Sequence, residues 1–118
     1  VKTQNTEIKL FSKSLSANLY QHLIVQLNKD LLLGGINLKF DSKIAPLDLV
    51  NQLQVAIENL VKNNYQTFNQ FMYTLDVSEK KINDISETEL SKLVLKLTEL
   101  VLERLMQKVV LKQQFKNG

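Results

Sequence analysis

From Glu87 to Gln114 the chain contains no glycine or proline and places apolar side chains on nearly every side of the helix it can form. Leu90, Leu93, Val94, Leu97, Leu100, Val101, Leu105, Val109 and Phe115 fall along one seam, and Leu95, Leu102, Met106 and Val110 lie outside it. A helix apolar around most of its circumference is either central to a bundle or buried against a second partner. At about 1.5 Å per residue this segment is roughly 40 Å long. The rest of the chain offers three other helical segments to cover it. The expected fold is therefore all-α, a small helical bundle of about four helices plus a short capped helical turn. Leu95, Leu102, Met106 and Val110 are the candidate interface, facing a second copy in a homodimer or a protein partner.

The other segments agree with a helical reading. Leucine supplies 22 of the 118 residues, against three glycines and one proline, a balance that favours helices over a turn-rich β fold. Leu15, Leu19, Leu23, Leu27 and Leu31 repeat every four residues, with Tyr20 and Ile24 on the same face and Asn18, His22, Gln26 and Lys29 opposite. This predicts a first helix over 15–33, stopped by Gly34-Gly35 in a left-handed turn. The competing reading makes the two glycines a hairpin turn between 29–33 and 36–40. Pro46 suits the first position of a second helix, whose stripe is Leu49, Val50, Leu53, Ile57, Leu60 and Val61, with Val55 outward. Asn63-Asn64 breaks it ahead of a third helix with Phe68, Phe71, Met72 and Leu75 inward; one kinked helix is the alternative.

Two capping boxes follow, an acceptor side chain with an acid three residues later. Asp76-Val77-Ser78-Glu79 opens a short helical turn to about Asn83, and Ser86-Glu87-Thr88-Glu89 opens the last helix. Ile8 and Leu10, then Ile36, Leu38 and Phe40, alternate with polar residues, so a minor β pairing of 7–11 with 36–40 is expected beside the helices. The domain reading is an N-terminal arm at 1–14 and a single helical domain at 15–118.

Composition excludes much chemistry. The chain has no cysteine, which removes disulfides, thiolate metal sites and cysteine nucleophiles, and its one histidine rules out a multi-histidine metal site. No apolar run exceeds three residues, the length of Leu31-Leu32-Leu33, far below the roughly 18–20 residues of a membrane span. Residues 1–15 show no signal-peptide pattern, and the expected compartment is the cytoplasm. No phosphate loop, dinucleotide fingerprint or hydrolase elbow occurs. His22 sits among polar neighbours with no triad partner, and Asp76 with Glu79 reads as a cap rather than an acid–base pair. The aromatics of 65–73 have helical spacing and belong to a core, except Tyr73, which points away from the stripe. The expectation is no enzyme, no cofactor and no metal.

Arg104, Lys108, Lys112 and Lys116 repeat every four residues with no acid after Glu103. They form a candidate anion-binding ridge able to follow a phosphate backbone. They also complement the helix dipole, with Asp84, Glu87 and Glu89 near the other end. The net charge of +3 is too small to decide for nucleic acid.

Three stretches carry a resemblance: Gln26-Leu27-Asn28-Lys29-Asp30, then Leu75-Asp76-Val77-Ser78-Glu79, then Glu103-Arg104 with Gln107-Lys108-Val109 and Phe115. In order and spacing, over about residues 19–115, the chain resembles a family of short, all-helical, uncharacterised bacterial proteins of the Bacteroidetes type. The resemblance implies a helical fold and a bacterial cytoplasm. It also suggests that Asp76, Glu79, Arg104 and Lys108 form a charged network tying the turn at 76–79 to the last helix. The function expected is a non-catalytic structural or interaction module that self-associates or docks a protein partner through the apolar face of its last helix. The alternative is a nucleic-acid-associated accessory protein using the basic ridge.

Overall fold

Ser16 caps the first helix: its Oγ accepts from the Leu19 amide at 3.2 Å, satisfying a donor that a helix start leaves without a partner. The computed structural model describes residues 16–117, with side chains to 114. It contains α1 (Ala17–Leu33), α2 (Pro46–Asn63), α3 (Tyr65–Leu75), α4 (Glu79–Asn83) and α5 (Leu90–Asn117). No strand occurs among the described residues, and these helices make the small all-α bundle expected.

α1 buries Leu23, Ile24, Leu27 and Leu31, with Leu19 and Tyr20 packed at the edge of the core. Residues 29–33 are helical, so the hairpin reading falls. The helix ends in a Schellman motif: Ile36 N–H donates to Leu31 O at 2.9 Å and Gly35 N–H to Leu32 O at 3.1 Å. Gly35 supplies the left-handed φ of 80°. Gly34 has a different role, since a Cβ there would stand 3.1 Å from the Phe71 backbone. Bulk at this position would push α1 away from α3.

The alternation at 36–40 is real but does not make a sheet. Phe40 is buried, Ile36 and Leu38 are half-buried, and Asn37 and Lys39 are exposed. The Phe40 backbone pairs with a side chain of α1: its N–H donates to Asn28 Oδ1 at 2.9 Å, and Asn28 Nδ2 donates to Phe40 O at 3.0 Å. The expected partner segment, 7–11, lies outside the described residues.

Pro46 starts α2 as expected, and Leu49, Val50, Leu53 and Ile57 are buried while Val55 is exposed. Asn64 separates α2 from α3 by itself. Its φ of −154° leaves the helical region, its N–H closes α2 on Leu60 O, and its Oδ1 accepts from Thr67 N–H at 3.3 Å to open α3. The single kinked helix is thus replaced by two helices. α3 buries Phe68, Phe71, Met72 and Leu75, as its spacing predicts, and exposes Tyr73.

The capping boxes are corrected. Asp76 ends α3 rather than starting α4, in the left-handed conformation (φ 64°, ψ 44°). Val77 N–H donates to Met72 O and Asp76 N–H to Tyr73 O, both at 3.0 Å, the same motif that ends α1. Asp is one of the few residues with a side chain that visits this conformation. It also lets the chain reverse and bury Val77. α4 then begins after Ser78, which makes no side-chain cap bond, and ends at Asn83 as expected. α5 starts at Leu90 rather than Glu87, with Glu89 O receiving the Leu93 amide at 3.0 Å. The stretch before it sets Ile85 and Leu90 against the core.

α5 is the central element and packs against α1, α2 and α3. Val94, Leu97, Val101, Leu105 and Val109 are buried, as is Thr98, whose hydroxyl donates to Val94 O at 2.8 Å. Leu95 and Leu102 are only 7% and 4% exposed. Both belong to the core of this chain and leave the expected interface.

Candidate interaction face on the C-terminal helix

A row of residues four apart does not run parallel to a helix axis. At 3.6 residues per turn each step of four gains about 40°. The ridge begun by Arg104 therefore winds around α5 and meets a different neighbour at each rung.

Arg104 meets the end of α3. Its Nε donates to Leu75 O at 3.0 Å, and its guanidinium lies 3.3 Å from Asp76 Oδ2 and from Gln107 Oε1. One side chain thus satisfies a terminal carbonyl of α3 and places positive charge at the helix end where the dipole favours it. Beside it, Lys81 of α4 pairs with Glu103 at 3.1 Å, and these groups line a cleft of about 210 Å3 with Val77 and Leu100.

One turn on, Lys108 Nζ lies 2.8 Å from Asp30 Oδ2 of α1, and the two side chains are 18% and 3% exposed. Gln26, one turn before Asp30, donates to both carboxylate oxygens at 3.1 and 3.2 Å. Lys112, the next rung, donates to Gln26 Oε1. Asp30 is thus held by three donor contacts, which a nearly buried carboxylate requires. Of the expected network, the Asp76–Arg104 link forms, whereas Lys108 turns to α1 instead. The side chain of Lys116 lies outside the described ones.

Each described cation of the ridge therefore has an acceptor within the chain. The anion-binding reading loses its main support, a free row of charge. Gln26, expected on the solvent side of α1, is buried, and so is Asp30. The sequence carried one signal for them: two polar residues four apart beside the leucine stripe, matching the period of the bases on α5.

Among the described side chains of α5, the exposed apolar ones are Val110 and Leu111. Val110 is 37% and Leu111 48% exposed, and with half-buried Met106 they line a shallow groove of about 520 Å3 flanked by Glu103 and Gln107. Of the expected interface, Met106 and Val110 stay at the surface, joined by Leu111, which belongs to neither the seam nor the expected interface. The walls are aliphatic and the flanks charged or amide, a pattern suited to another protein's side chains.

His22 is half-buried and lines a cavity of about 260 Å3 with Val25, Gln26, Val109, Lys112 and Gln113. On the far side of α1, the Tyr20 hydroxyl donates to Ile44 O at 2.5 Å. Burial, aided by the nearby Asp48 carboxylate, raises the Tyr20 pKa above its ordinary value of 10.0. Among the described residues no group of three or more His, Cys, Asp or Glu could hold a metal ion, and no helix is long and apolar enough to cross a membrane. Compared with known proteins, the chain matches no family, no curated protein and no solved structure.

Proposed function

We propose that this chain is a non-catalytic helical interaction module that binds a second copy or a protein partner through the C-terminal third of α5. The observation that supports this reading is the groove at Met106, Val110 and Leu111, aliphatic and open on a helix whose other described apolar residues are buried or half-buried. Its cations point the other way, into contacts with α1 and α3, so an apolar contact is favoured over a phosphate contact.

Light scattering coupled to size exclusion tests self-association. The expected result is a mass of two chains at both low and high salt, falling to one in Leu111→Glu while the helical circular dichroism signal is kept. A one-chain mass at every concentration removes the second copy as the occupant. The partner arm is then a pull-down that the parent performs and Leu111→Glu does not; equal capture by both overturns the groove. Nucleic acid that co-elutes at low salt and leaves at high salt restores the accessory-protein alternative, because phosphate contacts weaken steeply with salt.

A further inference from the structure

The α1–α5 seam is periodic on both sides. On α1, Leu19, Leu23, Leu27 and Leu31 recur every four residues; on α5, Leu97, Val101, Leu105 and Val109 do the same, and all pack in one core. The basic ridge has the same period. Asp30 meets Lys108 and Gln26 meets Lys112, so the two helices run antiparallel. If α1 slides by one turn, about 6 Å, an aliphatic residue again faces an aliphatic residue and a base again stands at each rung. The apolar faces alone therefore distinguish poorly between the observed register and its neighbours.

The polar groups do distinguish them. α1 carries a single acid, Asp30. A slide in one direction sets Asp30 against Arg104, already bound to Leu75 O and Asp76 at the end of α3. A slide in the other direction leaves Lys108, a mostly buried cation, without its carboxylate. Only the observed register gives Lys108, the mostly buried cation, its carboxylate while Arg104 keeps the α3 end. We infer that the Asp30–Lys108 pair, with Gln26 and Lys112 as its second rung, sets the register of α1 on α5. Buried polar groups used for register are the best attested role of such contacts.

The absence of cysteine makes the test clean, because the two introduced thiols of each variant are the only ones in the chain. Val25 and Gln113 line one cavity across the seam. Gln113→Cys is combined in turn with Val25→Cys, which reports the observed register, and with Gln21→Cys or Lys29→Cys, which report a one-turn slide either way. Each pair is treated with a short bifunctional thiol reagent. In the parent, the Val25 pair is expected to cross-link fastest by a wide margin. In a background of Gln26→Leu, Asp30→Leu and Lys108→Met, which leaves no buried charge unpaired, one slid pair gains cross-linking at the expense of the Val25 pair. Circular dichroism confirms that this background stays helical. A folded background that keeps the parent's order overturns the inference and assigns register to apolar packing and to the Gly34–Phe71 contact. If the background unfolds, Asp30→Asn is the second test: it keeps the shape and removes the charge, and an unchanged order there also overturns the inference.

Discussion

The two halves of α5 are built by opposite rules. From Val94 to Leu102 the helix keeps aliphatic residues and one threonine inside and charged residues outside. From Arg104 onward it turns three bases toward its neighbours and leaves Val110 and Leu111 in the open. The first half is held by excluded water and close packing, and the second adds specific donors and acceptors around buried Leu105 and Val109. An apolar contact tolerates many partners of similar size. A nearly buried carboxylate tolerates almost none.

The sharpest way to break this contrast is to truncate one leucine in each half. Leu97→Ala, at a buried position of the first half, should lower unfolding free energy by roughly 2–5 kcal/mol in urea titration, whereas Leu111→Ala should stay within about 0.5 kcal/mol. Equal losses would mean that the groove is core. Next comes the polar seam. Lys108→Met should cost about 3 kcal/mol by leaving Asp30 unpaired, and adding Asp30→Leu should recover most of it. If the double variant is no better than the single one, the pair matters for more than its own neutralisation.

Smaller effects are expected at the end of α3. Arg104→Ala should cost about 1–2 kcal/mol, chiefly through the lost bond to Leu75 O. A double-mutant cycle with Asp76→Asn should show coupling of no more than about 0.5 kcal/mol, because the carboxylate is 86% exposed. Asp76→Gly should raise stability by roughly 0.5 kcal/mol, since glycine adopts the left-handed turn without strain. A loss there would show that the Arg104 contact outweighs the backbone term. The least effect is at Tyr20. Its folded pKa lies above 10.0, so its contribution is complete below that pH and is lost as pH rises through the folded pKa. Stability should therefore decline less steeply above about pH 10 in Tyr20→Phe than in the parent.

The parts of the fold legible in the sequence are those ruled by the first half's chemistry. Phe68, Phe71, Met72 and Leu75 follow from spacing alone, and so does the α1 stripe with its glycine stop. The misread parts share a different origin. Asp76 and Glu79 spell a capping box, but the same aspartate is also suited to a left-handed helix end, and letters alone do not choose between the two. Gln26 and Asp30 look like solvent residues because burial of polar groups depends on a partner about 80 positions away. The ridge looks straight when counted in fours and is curved on a helix of 3.6. Leu95 and Leu102 fall outside the seam for the same reason, yet α5 is enclosed widely enough to bury them.

Asn64 has a consequence for the length of this chain. It is the whole joint between α2 and α3, closing one helix with its amide and opening the next with its side chain. No slack exists there to absorb an extra residue. One insertion would turn α3 by about 100° and swing Phe68 and Phe71 out of their sockets. The irregular stretches at 36–45 and 84–89 are free of that restriction. In proteins of this architecture, gain and loss of residues should gather in those two connections and spare the corner at 64.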